Sequence, residues 1–343
     1  MTIIPRRRLG TDGPEVSRLC LGTMMFGDRT GEAEATEIVD AYAEAGGNFL
    51  DTADVYADGA SERIVGRAIE GRRDDFLIAT KVGNVMPSVA GSGGISERWI
   101  ARALDASLDR LGVDAIDLYY LHRDDDETPL DEAIAALGQA MTDGKVHAWG
   151  FSNFRGWKIA EMVHIADRLG VPRPIAMQPY YHALYRVAEI ELLPACEHFG
   201  IGVVSYSPLA RGVLTGKYAD GVPEGSRAAS GDVRITETEM RPELLNAARR
   251  FEAHAQRTGR RTADVALQWV LASDLVTSTL AGPRTLEQLR SYLEGLGAEH
   301  REEDEAAVSA IVPPGGTAGA GYADPRYPYR GRLTRFGREG ATG

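Results

Sequence analysis

Asp51-Thr52-Ala53-Asp54-Val55-Tyr56 closes an apolar segment, Phe49-Leu50, and delivers a carboxylate and a phenol five residues apart. An apolar run ending this way reads as a buried strand passing into a loop, with Asp51 at the strand end and Tyr56 on the loop. Alone it is an ordinary turn, since carboxylates commonly close strands and loop tyrosines commonly pack. The next two apolar runs change the reading. Phe76-Leu77-Ile78-Ala79-Thr80-Lys81 ends in a lysine, and Ile116-Asp117-Leu118-Tyr119-Tyr120-Leu121-His122 ends in a histidine. If these strands are parallel neighbours, Asp51, Tyr56, Lys81 and His122 converge at one rim.

The same alternation of strand and helix continues outward in both directions. Residues 6–9 and 16–18 flank Gly10-Thr11-Asp12-Gly13-Pro14, which predicts a hairpin capping one end of a sheet or barrel. A first core strand follows at 19–24, then a helix over 32–45. A helix over 61–69 takes Ser61 as N-cap and Gly71 as its stop. Ile100, Ala103, Leu104, Leu108 and Leu111 hold helical spacing as far as Gly112. The preceding Gly91-Ser92-Gly93-Gly94 has no strand running into it and is a loop, not a dinucleotide fingerprint. Thr128-Pro129-Leu130-Asp131 reads as N-cap, first-position proline and acidic third position of a helix to about 141.

Strands at 146–150, 175–177 and 201–206 then alternate with helices at 156–169 and 189–199. Residues 217–230 turn Gly-, Pro- and Ser-rich, an excursion over the rim. Helices at 242–257 and 262–271, a last strand at 276–280 and a helix at 286–296 complete the series, with an acidic helix at 302–311 beyond it. Eight strands alternating with helices predict an α/β fold. It is a (β/α)8 TIM barrel with an N-terminal β-hairpin cap and long loops on its C-terminal face, one domain over 1–343. An open doubly wound sheet would carry a Gly-x-Gly-x-x-Gly turn after its first strand, and none is there. Chemistry in such a barrel gathers at the C-terminal strand ends, where Asp51, Lys81, His122, Asn153, Gln178 and Arg284 all fall. Residues 313–343 are aperiodic. They form either a free tail or, through Tyr322, Tyr327 and Tyr329, one that folds back over a pocket or a neighbour.

The composition narrows the classes of function. A chain of 343 residues with 43% hydrophobic and 26% charged residues is ordinary globular material. Its net charge of -12 and pI near 5.2 exclude a general nucleic-acid or anionic-membrane surface. Two cysteines, Cys20 and Cys196, cannot staple a chain of this size and read as buried free thiols. Without a signal-peptide core or an apolar run of membrane-spanning length, the expectation is a cytoplasmic protein. No metal set competes. Asp124, Asp125 and Asp126 are adjacent on a loop and read as a solvated acidic turn. His122-Arg123-Asp124 imitates a kinase catalytic loop, but Pro129 stands where that loop needs asparagine.

A tyrosine is a poor acid at neutral pH unless something favours its phenolate, and a nearby ammonium such as that of Lys81 does so. Asp51 would hold the lysine charged and aimed. His122 would donate a hydrogen bond to the oxygen that Tyr56 protonates, fixing a carbonyl between them. Such a site reduces C=O with hydride from a cofactor. Ser152, Asn153 and Gln178 suit a nicotinamide carboxamide, Tyr206 could stack on its ring, and Lys217, Arg227 and Arg284 suit a diphosphate or 2'-phosphate. Met25, Phe26, Val55, Val85, Met86 and Arg123, near strand ends, are candidates for the substrate wall together with Tyr56 and His122.

The sequence resembles the aldo-keto reductase superfamily from Arg8-Leu9-Gly10 to about Val312. The motifs that carry the resemblance are Gly22-Thr23-Met24, Phe49 to Tyr56, Ala79-Thr80-Lys81, Asp117 to His122 and Gly150-Phe151-Ser152-Asn153. Further along come Gln178, Tyr206-Ser207-Pro208-Leu209, Leu214-Thr215-Gly216-Lys217-Tyr218, and Gly282 with Arg284 and Gln288. The resemblance implies a barrel, an extended NADP(H) across its rim, and Asp51, Tyr56, Lys81 and His122 as the catalytic tetrad. It also implies cofactor contacts from Gly22, Thr23, Met24 and Asp51, from Ser207, Pro208, Leu209, Ala210 and Arg211, and from Gly282 and Gln288. The branch resembles the beta subunits of voltage-gated potassium channels, in which residues matching Lys217 and Arg227 approach the cofactor phosphates. Tyr292 departs from the asparagine of many relatives.

The expected function is NADPH-dependent interconversion of an aldehyde or ketone and its alcohol, with a homo-oligomer possible. The rivals are a cofactor-sensing regulatory subunit with little turnover and an NAD-dependent alcohol dehydrogenase working oxidatively.

Overall fold

In the computed structural model, residues 3–218, 221–319, 324, 326, 327, 332–334 and 337–339 are described. β1 (Arg6–Arg8) and β2 (Glu15–Ser17) form an antiparallel hairpin. The series then runs β3 (Leu19–Gly22), α1 (Glu32–Glu44), β4 (Phe49–Asp51), α2 (Ala60–Ala68), β5 (Leu77–Val82), α3 (Glu97–Leu111), β6 (Ile116–Leu121) and α4 (Leu130–Thr142). It continues with β7 (Val146–Ser152), α5 (Gly156–Leu169), β8 (Ala176–Gln178), α6 (Leu192–Phe199) and β9 (Gly202–Ser205). Three helices, α7 (Val233–Thr238), α8 (Pro242–Arg257) and α9 (Thr262–Ala272), precede β10 (Val276–Ala281), α10 (Leu286–Gly295) and α11 (Glu302–Ile311). Strands β3 to β10 are parallel and close into a barrel through the β10–β3 pair. In the tail, β11 (Arg332–Thr334) pairs antiparallel with β12 (Gly337–Glu339).

Strand alternation sorts the apolar residues into two cores. Cys20, Phe49, Ala79, Leu118, Tyr120, Ala176 and Val204 fill the barrel interior, joined from below by Leu9 and Val16 of the hairpin. Leu50, Ile78, Tyr119 and Leu121 point the other way, into the shell shared with the helices. On α3, Trp99, Ile100, Ala103, Leu104 and Leu111 are buried, and each large side chain so enclosed contributes about 1.5–3 kcal/mol. The hairpin seals the lower end of the barrel, where Thr11 N–H donates to the Gly200 carbonyl at 2.8 Å.

The strand series stands as expected, with boundaries moved by one or two residues. Several local readings change. Ser61 is not an N-cap: α2 begins at Ala60 behind a left-handed Gly59, and the Ser61 hydroxyl is buried, donating to the Thr23 carbonyl at 2.8 Å. Thr128 is not an N-cap either, since its hydroxyl donates to Asp125 Oδ2 at 2.7 Å while Pro129 takes the cap position. The segment 189–199 divides into a short turn at Val187–Glu189 and α6. The acidic turn is tied down rather than solvated, with Lys158 Nζ 2.5 Å from Asp124 Oδ1 and the Ile95 N–H on Asp125. Among the described residues no helix is long and apolar enough to cross a membrane.

Candidate active site

Inward alternation places the chemistry. On β4 Phe49 faces in and Leu50 out, so Asp51 faces in. On β5 Ala79 faces in, so Lys81 does too. On β6 Leu118 and Tyr120 face in, and His122 follows in the same phase. The register staggers these levels: Asp51 lies beside Ala79, and Lys81 beside Tyr120. Each catalytic candidate therefore stands one level higher than its predecessor, and the long lysine reaches back down. Its Nζ pairs with Asp51 Oδ1, donates to the Thr52 carbonyl at 2.7 Å, and lies 3.4 Å from the Tyr56 hydroxyl. Tyr56 arrives on a tight turn in which Ala57 and Asp58 hold φ of 46° and 54°. Its ring meets that of His122 edge-on, with centroids 5.8 Å apart and planes at 84°. All four expected groups thus gather in one place.

A chain of hydrogen bonds runs on from Asp51. Gln178 Nε2 donates to Asp51 Oδ2 at 2.8 Å, and Ser152 Oγ to the Gln178 carbonyl at 2.8 Å. Asn153 Nδ2 donates to Ser152 Oγ at 2.9 Å and to the His122 carbonyl at 2.8 Å, while Tyr206 donates to Asn153 Oδ1 at 2.9 Å. The Asn153 and Gln178 amides are therefore each held by fixed partners, Asn153 by Ser152, the His122 carbonyl and Tyr206, Gln178 by Asp51, which locks their orientation.

Burial dominates the electrostatics. It raises the Tyr56 pKa, Lys81 pulls it down, Asp51 opposes Lys81, and the net shift is upward. The ammonium therefore counteracts burial, as expected of a neighbouring cation, and the net shift leaves Tyr56 a protonated phenol. Burial pulls Lys81 down, but Asp51 and Tyr56 more than offset this and leave it raised. His122 is held well below its usual pKa by burial, then by Lys81, Arg326 and Arg123, and is a neutral imidazole. Behind the turn, Asp54 is buried with both carboxylate oxygens unpartnered among the described residues. Burial first, then Glu62, raise its pKa to about 7.

A cleft of about 1290 Å³ crosses the C-terminal rim over these groups. Gly22, Met24, Met25, Asp51, Val55, Tyr56, Val85, His122, Arg123, Ser152, Asn153 and Gln178 line it. So do Tyr206, Ser207, Pro208, Leu209, Arg211, Lys217, Arg227, Gly282, Arg284 and Gln288. Other candidates lie elsewhere. Phe26 and Met86, expected on the substrate wall, are buried in the shell between strands and helices. Thr23 is buried, its hydroxyl bonded to the Asp51 carbonyl at 3.1 Å, and Ala210 is buried with φ of 46°. Lys81 is fully enclosed beneath Tyr56.

The outer end of the cleft is basic. Burial, then Arg284 and Arg227, depress the Lys217 pKa. Its ammonium packs so near Gly212, at φ of 99°, that a Cβ there would lie 2.9 Å from Nζ. Arg284 precedes the N-terminus of α10, where Gln288 Oε1 accepts the Arg284 N–H at 2.9 Å. Clustered cations beside a helix N-terminus fit a phosphate group. Arg227 is partly engaged, since its Nε lies 2.7 Å from Asp232.

The Aldo/keto reductase family model matches residues 18–312. The chain belongs to the aldo/keto reductase family. This aldo/keto reductase is 37% identical over 332 residues to the Uncharacterized oxidoreductase YrpG of Bacillus subtilis, covering 92% of the chain and 98% of that protein. It is 34% identical over 302 residues to L-glyceraldehyde 3-phosphate reductase of Escherichia coli O157:H7, covering 84% and 87%. An Arabidopsis thaliana protein named "Probable voltage-gated potassium channel subunit beta" is 34% identical over 299 residues, covering 84% and 90%. Family and relatives make this reductase an oxidoreductase of the kind that performs NAD(P)-linked carbonyl reduction.

The reductase also lines its cleft with residues that sequence reading missed. Arg260 and Arg261 come from the α8–α9 turn, Asp264 from α9, and Arg234 and Arg326 from α7 and the tail, while Tyr327, expected to fold back over a pocket, does line the cleft. The start of α9 at Thr262, expected from the sequence, could have located the first group. Nothing local marks Arg326. Tyr322 and Tyr329 lie outside the described residues.

Proposed function

We propose that this aldo/keto reductase transfers hydride from NADPH to an aldehyde or ketone, with Tyr56 as the general acid. The reading rests on the Tyr56 hydroxyl lying 3.4 Å from the Lys81 ammonium on the wall of a cleft of about 1290 Å³ that is also lined by Lys217, Arg227 and Arg284. Burial keeps the phenol protonated until a carbonyl oxygen gains negative charge. Lys81 then stabilises the phenolate left behind, while Asp51 fixes the lysine. Neutral His122 donates an N–H to the same carbonyl oxygen. With Nδ1 buried and unpartnered among the described residues, the tautomer protonated at Nε2 strands a lone pair rather than a donor. Bound NADPH supplies the hydride. Lys217, Arg227 and Arg284 would hold its phosphates, and Ser152, Asn153 and Gln178 its carboxamide.

Tyr56→Phe is expected to lower kcat by about 10²–10⁴-fold while NADPH still binds with near wild-type affinity by fluorescence titration. Turnover retained in that variant sinks the assignment. Arg284→Ala is expected to weaken NADPH about tenfold or more while scarcely altering NADH. Equal effects on both cofactors would point to NADH use.

Similarity to a protein named as a channel subunit favours a second reading, a cofactor-sensing regulatory subunit. It predicts negligible multiple turnover with every carbonyl offered.

A further inference from the structure

The family match ends at residue 312, yet the described part of the tail reaches the catalytic end of the cleft. After α11 the chain runs beside the loop that follows β8, with Arg186 N–H on the Gly316 carbonyl and Ala318 N–H on the Leu184 carbonyl, at 2.8 and 3.0 Å. Asp324 is then gripped by Arg234 through two hydrogen bonds of 2.9 and 2.5 Å. Arg155 donates to the Tyr327 carbonyl at 3.0 Å, and the guanidinium carbons of Arg123 and Arg234 each lie 5.9 Å from the Tyr327 ring centroid.

This clasp delivers Arg326 to the cleft wall, which Arg123 also lines. The Arg326 guanidinium has no ion pair among the described residues, while its backbone N–H donates to Asp324 Oδ1 at 2.9 Å. The Arg123 side chain has one long hydrogen bond, 3.4 Å to the Asp124 carbonyl, and no ion pair there. The acids on the wall are largely committed, Asp51 to Lys81, Asp232 to Arg227, Asp264 to Arg261 and, more loosely at 3.7 Å, Asp28 to Arg29, and Asp324 beside the wall is held by Arg234. Asp58 is the exception, and its Oδ1 is enclosed. Lys81 beneath is balanced by Asp51, so Arg326 and Arg123 are the cations facing the carbonyl site without an ion pair, close enough to add to the burial that keeps His122 neutral.

We propose that Arg326 and Arg123 form an anion subsite, and that the substrate is an aldehyde or ketone bearing a carboxylate or phosphate. This rests on the carbonyl-reduction reading. Arg234 and Asp324 are positioning residues that hold Arg326 over the site.

The test compares matched carbonyls with NADPH and the full chain: glyceraldehyde phosphate against glyceraldehyde, and succinic semialdehyde against butanal. The anionic member of at least one pair is expected to show about tenfold or greater kcat/KM, a margin that narrows with added salt. The pair that shows it names the anion. Arg326→Ala and Arg123→Ala should each collapse the margin through KM for the anionic member, Arg326→Lys should retain most of it, and Asp324→Asn should weaken it. Neutral members preferred or equal in both pairs, or Arg326→Ala lowering both members of a pair by one factor, overturns the proposal. If neutral aldehydes turn over, Tyr56→Phe abolishes it and no anion margin exists, the reductase reading survives and the subsite falls. If none of the carbonyls turns over, both fall.

Discussion

The buried Tyr56 phenol sits between two opposed influences, enclosure that keeps its proton and an ammonium that tolerates its departure. Asp54, two residues earlier, has enclosure without a cation in contact. Its carboxyl pKa rises from 3.8 to about 7, so between those values the folded chain binds more protons than the unfolded one. Asp54 therefore contributes stability that is fully present below pH 3.8 and lost as pH rises through about 7. The loss is on the order of 2–4 kcal/mol. Asp54→Asn should flatten urea-derived stability across that window. An unchanged slope would show that Asp54 ionises normally. At this scale the sequence was legible where strand phase fixes direction, as for Asp51, Lys81 and His122. It was not legible for Phe26 and Met86, because closeness to a strand end does not say which way a loop side chain turns.

Elements owe their order to contacts that individual residues permit. β7 lies beside β6 and β8 with Gly150 opposite Tyr120 and Ala176. A Cβ on Gly150 would lie 2.4 Å from the Ala176 carbonyl oxygen and 2.8 Å from the Tyr120 ring. Gly150→Ala should destabilise the barrel by about 1–3 kcal/mol, read from the urea midpoint. It should also reduce kcat, because Tyr120 is the register partner of Lys81. An unshifted midpoint would mean that the strands part at little cost. Long helices such as α5 and α8 fall at the bounds expected from the sequence, 156–169 and 242–257. Ser61 and Thr128 misled because a hydroxyl near a helix start can serve the helix or a buried neighbour, and only packing decides. Six-residue α7 is too short to show a period.

Across the whole molecule, the barrel was legible because eight apolar runs recur with helices between them, several followed by polar groups that gather at one rim. The far walls of the cleft were not, since Arg261 and Arg326 reach it from 210 and 275 positions beyond Asp51, a distance no local pattern spans. Closure of the barrel above and the hairpin below also seals Cys20 inside, while Cys196 lies in the outer shell, both free and buried. The two thiols then act as separate gauges of opening. Cys196 should react with an alkylating reagent whenever α6 lifts away, Cys20 only when the staves themselves part, and mass spectrometry of the labelled peptides would time the two events in a single sample. Equal labelling rates would mean that the shell never loosens alone.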